Sequence, residues 1–194
     1  MKLRADQCIL VTGAAGFIGK DVVRRLLEHG CRVKAMSRRA GAPFDFNERL
    51  ELVQADMRDE GSLRQAVAQV AVVVHLAAAK SDEPDSEDVN VRGAERLIKV
   101  CQAVGCDRII NISTQSAEIA QKGTYARTKS AAEKILHNSG LQVTTLRLSV
   151  VYGEEESGVF GTVLKFVRRL PVVPVLGDGR WISAPVYVGD VSKA

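Results

Sequence analysis

Three glycines at intervals of three, Gly13, Gly16 and Gly19, stand between a short apolar run and an amphipathic segment. Residues 8–12, CILVT, are rich in β-branched side chains and read as a strand buried on both faces. Beyond the turn, KDVVRRLLEHG with the preceding Ile18 places Ile18, Val22, Val23, Leu26 and Leu27 on one helical face, with the charges opposite and Gly30 as the C-cap. A glycine turn between a buried strand and a helix suits a phosphate for physical reasons. Gly13 permits the tight turn, Gly16 lets the backbone approach a pyrophosphate, and Gly19 allows close helix packing. The free N–H groups and the dipole of the helix start attract negative charge. Gly13, Ala15, Gly16, Phe17, Ile18 and Gly19 are therefore expected to cradle a dinucleotide.

The alternation continues along the chain. Strand-like runs stand at 32–36, 51–53, 72–77, 108–113 and 143–149, separated mostly by helical stretches, of which 86–104 and 124–138 have the clearest periodicity. Repeated strand–helix units with right-handed crossovers give an α/β fold, a doubly wound parallel sheet covered on both faces. Over 194 residues with 46% hydrophobic content, one such domain fits, followed by a fragment of a second. The character of the chain changes after Val151, so the expected division is a dinucleotide-binding (Rossmann) domain at 1–150 and a partial substrate-binding region at 151–194.

Discrimination between nicotinamide dinucleotides falls at the end of the second strand, where a carboxylate would bind the ribose 2′-OH. Here that position holds Ser37, followed by Arg38 and Arg39. A small hydroxyl beside a guanidinium accepts a 2′-phosphate, which favours NADP(H), with NAD(H) as the alternative. Asp56 and Met57 end the third strand where the adenine would lie. Leu76, Ala77 and Ala78 end the fourth, small enough for a dinucleotide to lie against the sheet edge, and His75 reads as a packed structural histidine.

Tyr125 and Lys129 stand four apart in YARTK at the start of a helix, on one face of it. A nearby ammonium favours the ionised phenol, so Tyr125 is expected to have a lowered pKa and to act as a general base, or as an acid in the reverse direction. The pair follows a strand ending in Ser113-Thr114, whose hydroxyls emerge at the carboxyl edge where ligands bind. A hydroxyl, a phenol and an ammonium over a nicotinamide make a proton relay coupled to hydride transfer.

The ordered set TGAAGFIG, AD-M, HLAA, N-V-R-G, I-S-T, YARTK, LRLSVVYG and GDGR…PVYVGDV resembles the extended short-chain dehydrogenase/reductase superfamily, the NAD-dependent epimerase/dehydratase group, across essentially the whole chain. The resemblance implies a catalytic hydroxyl at Thr114 supported by Ser113, the base at Tyr125, the ribose-holding lysine at Lys129 and a structural asparagine at Asn90. It also implies a nucleotide-sugar or other small alcohol or carbonyl as substrate, and pairing of helices into a homodimer. Members continue well beyond PVYV-DV, so the end of the substrate domain is expected to be missing. Only ten residues separate Thr114 from Tyr125, and Leu148 replaces the usual proline after Leu-Arg. With YARTK and PVYVGDV, the short loop resembles an atypical branch that includes the NADPH-binding accessory subunit of respiratory complex I, where the cofactor is thought to be structural.

Two functions follow, an NAD(P)-dependent oxidoreductase, epimerase or dehydratase, and a non-catalytic NADP(H)-binding sensor or scaffold. The net charge of +4 is spread along the chain, with no basic stripe to bind nucleic acid. Cys8, Cys31, Cys101 and Cys106 show no CxxC spacing, so no metal is expected and a reducing, cytoplasmic setting is. No segment approaches the length of a membrane span or a signal-peptide core.

Overall fold

In a computed structural model, six strands form one all-parallel sheet in the order β3-β2-β1-β4-β5-β6. They are β1 (Cys8–Thr12), β2 (Arg32–Ser37), β3 (Leu50–Gln54), β4 (Val72–His75), β5 (Arg108–Thr114) and β6 (Gln142–Leu148). The structure describes residues 7–41, 44–45, 47–79, 85–118, 123–153, 158–169 and 184–194. The order reverses between β1 and β4, which are central and the most apolar; all four residues of β4 are buried. Ligands bind doubly wound sheets outside the carboxyl ends of the strands at such a reversal.

Alternation along the strands divides the core in two. Ile9, Val11, Val33 and Val72 face α1 (Phe17–Glu28), which presents Val22 and Val23. Leu10, Val73 and Ile109 face the other layer, formed by α2 (Glu60–Val67), α3 (Gly93–Val104) and α4 (Thr124–His137). Both faces are covered, as the continuous apolar runs demand. His29 is the C-cap of α1, with Gly30 taking the left-handed position just beyond it at φ 78°. Eight-residue α2 has a weak apolar period but a strong start, since the Asp59 carboxylate accepts from the N–H groups of Gly61 and Ser62.

The periodic stretch expected as one helix over 86–104 is interrupted. Asp88–Arg92 form a π turn before α3 begins at Gly93. The wider turn carries Asn90, whose side chain accepts from Ala79 N at 2.8 Å and donates to Ala79 O and to Thr128 Oγ1, each at 3.0 Å. Three well-made buried bonds compensate for irregular backbone.

Beyond the sheet, β7 (Val151–Tyr152) pairs in parallel with β8 (Val186–Tyr187), beside α5 (Gly158–Arg169) and α6 (Val188–Val191). The Tyr152 ring packs against Phe160 and Tyr187, and Ser192 of the last turn bonds Asp21 of α1. The GDGR motif at 177–180 and Trp181 lie outside the described residues. Among the described residues, no helix is long and apolar enough to cross a membrane.

Candidate functional site

The turn after β1 shows why it needs glycine. Gly13 has φ +68°, and a Cβ there would stand 2.9 Å from Ala77 N, so the turn presses directly against the chain leaving β4. A Cβ at Gly19 would meet the Gly13 carbonyl oxygen at 2.3 Å and that of Ala14 at 2.7 Å. Gly19 thus seats the helix on its own turn. Gly16, exposed at the N-cap of α1, offers no capping side chain, and the first turn carries no acid. The N–H groups of this helix start have no side-chain cap, in contrast to those of α2, which Asp59 caps.

Around the turn lies a cleft of about 290 Å³. Gly13, Ala15 and Gly16 form one wall, Ser37, Arg38, Asp56 and Met57 the far end, and Leu76, Ala77 and Ala78 the floor. These ten expected residues come together from four strand ends. Four do not share the cleft: Ile18 packs against the α1 side of the core, Gly19 is buried, Phe17 lines a larger groove of about 670 Å³ between α1 and Tyr187, and Lys129 stands against β5. Met36, Arg39, Ala55, Ala79 and Val89 also line the cleft. All but Val89 adjoin an expected residue in sequence; Val89 arrives on the π turn, which no periodicity announced.

At the far end the Ser37 hydroxyl accepts the Arg39 backbone N–H at 3.2 Å, curling the exposed arginine pair around the end of β2. Arg58 already grips both Asp56 carboxylate oxygens, Oδ1 through Nε at 3.1 Å and Oδ2 through a terminal nitrogen at 2.8 Å. Its other terminal nitrogen donates to Asp85. The Arg58 guanidinium holds the Asp56 carboxyl below the usual carboxylate range. Oδ1 also accepts Arg58 N, so the room left for a further donor is on Oδ2. The site retains the shape, donors and charge for a dinucleotide, and no group of histidine, cysteine or acidic side chains among the described residues could hold a metal ion.

Between the cleft and α4 stands His75, 2% exposed. Thr12 Oγ1 accepts the N–H groups of Leu76 and Ala77, both at 3.1 Å, so its own proton goes to His75 Nδ1 at 3.0 Å. Nδ1 is then an acceptor and the ring neutral. Burial, with Lys129 nearby, pushes its pKa down to about 3. The histidine is structural, and it fixes where the floor of the cleft begins.

Thr114 ends β5, its hydroxyl accepting Ser116 N at 3.3 Å at the start of a 3₁₀ turn (Gln115–Glu118). Tyr125 is half-buried in the first turn of α4. Lys129, 4% exposed, donates from Nζ to the Ile112 carbonyl of β5 at 2.6 Å. Burial lowers its pKa to about 8, opposed by Glu133. Two expectations need correction here. Burial pushes the Tyr125 phenol above its ordinary pKa rather than below it, and the Lys129 ammonium donates to the β5 backbone. Ser113 does not support Thr114: successive strand residues point to opposite faces, and Ser113 is buried toward Glu133 of α4.

A family model described as "NAD dependent epimerase/dehydratase family" matches residues 9–194. The chain is 30% identical to NADH dehydrogenase (ubiquinone) 1 alpha subcomplex subunit 9, mitochondrial, of Arabidopsis thaliana, over 95% of this chain and 48% of that protein. Among solved structures, UDP-glucose 4-epimerase of Thermotoga maritima with UDP-glucose is similar at 27% identity, TM-score 0.80, over 96% of this chain and 71% of that one. The NAD complex of UDP-glucose 4-epimerase from Thermus thermophilus is similar at 28% identity, TM-score 0.77, over 96% and 72%. The chain thus spans about half the length of the plant subunit and about seven-tenths of the two epimerases.

Proposed function

The chain belongs to the NAD-dependent epimerase/dehydratase family, and from that premise we propose that it binds a nicotinamide dinucleotide across the β1/β4 reversal and uses Thr114, Tyr125 and Lys129 to move a proton on a small alcohol or carbonyl substrate. The carrying observation is the uncapped glycine start of α1 facing Ser37 and Arg38 across one cleft. In this reading the N–H groups of the first α1 turn hold the pyrophosphate, Arg38 takes a 2′-phosphate, and Asp56 Oδ2 accepts the adenine amine. NADP(H) is accordingly the favoured cofactor. The nicotinamide supplies the hydride acceptor or donor when bound.

The chain's own part is proton handling. With its pKa raised by burial, the Tyr125 phenol keeps its proton at neutral pH. It is therefore set to donate to a carbonyl oxygen, the direction of a reduction, with the Thr114 hydroxyl orienting that oxygen. Lys129 orients the nicotinamide ribose. A nucleotide-sugar is the proposed substrate class, by analogy with the epimerases, and residues 151–194 are read as the start of the region that selects it. Four free cysteines accord with the reducing, cytoplasmic setting.

Mass spectrometry of nucleotides released from the denatured protein, with calorimetric titration by NADP⁺ and NAD⁺, tests the reading. Binding of both with NADP⁺ tighter is expected; binding of neither overturns it. Tight binding with no turnover on any nucleotide-sugar, aldehyde or ketone supports the sensor or scaffold function instead.

A further inference from the structure

Behind the site, three charged residues from separate elements meet in one cluster. Arg147 of β6 donates through Nε to Glu133 Oε1 at 2.8 Å, grips the same oxygen with a terminal nitrogen, and reaches Glu118 of the 3₁₀ turn with the other. Arg147 stands directly opposite Ser113 in the β5–β6 register. Glu133 is 5% exposed and lies one turn beyond Lys129 on α4. Ser113 Oγ and Glu133 Oε2 are both fully buried without a well-formed hydrogen bond. They nonetheless lie close enough for the hydroxyl to favour the carboxylate.

Arg147 and Glu118 reach the surface, so the desolvation cost of the cluster falls on the buried Glu133 carboxylate, a position where an apolar side chain would serve a purely structural core as well. Its position gives it another use. Among the described residues, the buried Lys129 amine makes a single hydrogen bond, to a neutral carbonyl, which leaves an ammonium poorly compensated. The groups that act on it are the Ile112 carbonyl of β5, neutral His75 from β4 and Glu133, with Arg147 of β6 behind it, while Tyr125 stands one turn earlier on α4 and Ser113 follows Ile112 on β5. Glu133 supplies the negative charge that opposes desolvation of the ammonium. Burial works against the Glu133 charge in turn, and the grip of Arg147 together with Ser113 outweighs it.

We propose that Glu133, held by Arg147, is a positioning residue whose carboxylate keeps Lys129 in its ammonium form beside the Ser113–Thr114 strand end. Arg147 is the clamp: through Glu133 it fixes α4, and through Glu118 it fixes the turn that follows Thr114. The strand end and the lysine are thereby held in one register from the neighbouring strand, where Arg147 pairs with Ser113. The inference rests on the reading of Lys129 as a site residue, but the charge state of its amine can be followed without substrate or cofactor.

The test is an NMR pH titration of the intact chain carrying ¹⁵N-lysine, the Lys129 Nζ signal being assigned by its loss in Lys129→Met. A midpoint near 8 is expected for the parent. Glu133→Gln keeps the shape of the side chain and its bond from Arg147 but removes the charge, so the Lys129 midpoint should fall by about one pH unit or more. Glu133→Asp, with its charge on a shorter arm, should give a smaller fall, and it serves should the glutamine variant not fold. Calorimetric affinity for NADP⁺ should weaken at the lower pH in step with the amine. A parent-like midpoint in a folded variant overturns the inference, even with cofactor binding intact. Failure of cofactor binding in the parent counts against the proposed function and leaves the titration to be judged separately.

Discussion

Asn90 Nδ2 lies 3.0 Å from Thr128 Oγ1, and the same hydroxyl donates to the Tyr125 carbonyl at 3.0 Å. The π turn, the chain leaving β4 and the first turn of α4 are thus joined through one buried amide. Asn90→Ala strands Ala79 N and Ala79 O and takes from Thr128 Oγ1 its donor, and should destabilise the fold by about 3 kcal/mol in urea titration. Thr128→Val keeps the volume but removes one partner and should cost about half as much. Equal midpoints for parent and Asn90→Ala would remove the amide from any structural role.

His75 gives the protein a specific acid sensitivity. Its folded pKa near 3 lies below the ordinary value of 6.5. Between these limits the unfolded chain takes up a proton that the native chain does not. The stabilising contribution of the neutral ring is therefore complete above pH 6.5 and declines as pH falls toward 3, by about 1.4 kcal/mol per pH unit. His75→Gln should flatten that limb of the stability profile. Parallel profiles for the two proteins would show that the ring takes up its proton equally in the folded and unfolded states.

Two glycine substitutions separate close packing from backbone freedom. Alanine at Gly19 drives a Cβ onto the Gly13 and Ala14 carbonyl oxygens, which belong to the turn itself and cannot move aside. A loss of about 3 kcal/mol is expected, together with weakened dinucleotide binding. Alanine at Gly41 meets nothing within 4 Å and suffers only from its φ of +74°, a cost of about 1 kcal/mol. If thermal melts rank the two the other way, Gly19 is not the contact that seats α1.

Cofactor preference is a matter of charge at the end of β2. Arg38 is exposed on the rim of the cleft, where a 2′-phosphate would gain a charge-assisted bond. Arg38→Asp replaces that attraction by repulsion and supplies a carboxylate for a ribose hydroxyl. Calorimetry should show preference moving from NADP(H) toward NAD(H) by about tenfold or more. An unchanged ratio would detach specificity from this residue.

What the sequence made legible follows the range of the interactions involved. CILVT and VVVH are continuous apolar runs, so both their strand character and their central place could be read locally. The cleft walls were legible for the same reason, because each lies at a strand end within a few residues of a recognisable turn. The Arg147 clamp was not, since its partners lie 14 and 29 residues away and no short pattern links them. The π turn was hidden by apolar spacing that continues through it. Spacing also put Tyr125 and Lys129 on one helix face without revealing that a β5 carbonyl would draw the ammonium.

Removal of one oxygen at Tyr125 separates chemistry from binding. The phenol is half-buried and protonated at neutral pH, so Tyr125→Phe removes the proton donor while leaving the ring in its packing. Turnover on a carbonyl substrate should fall by at least about a hundredfold, the lower range for a positioned general acid. Affinity for NADP(H) should stay within a few-fold, because the phosphates are held at α1 and β2. In the parent, the rate of reduction should decline on the alkaline side as the phenol loses its proton, and Tyr125→Phe should show no such decline in its residual rate. A variant that turns over as fast as its parent would move the proton to another donor and leave the binding reading in place.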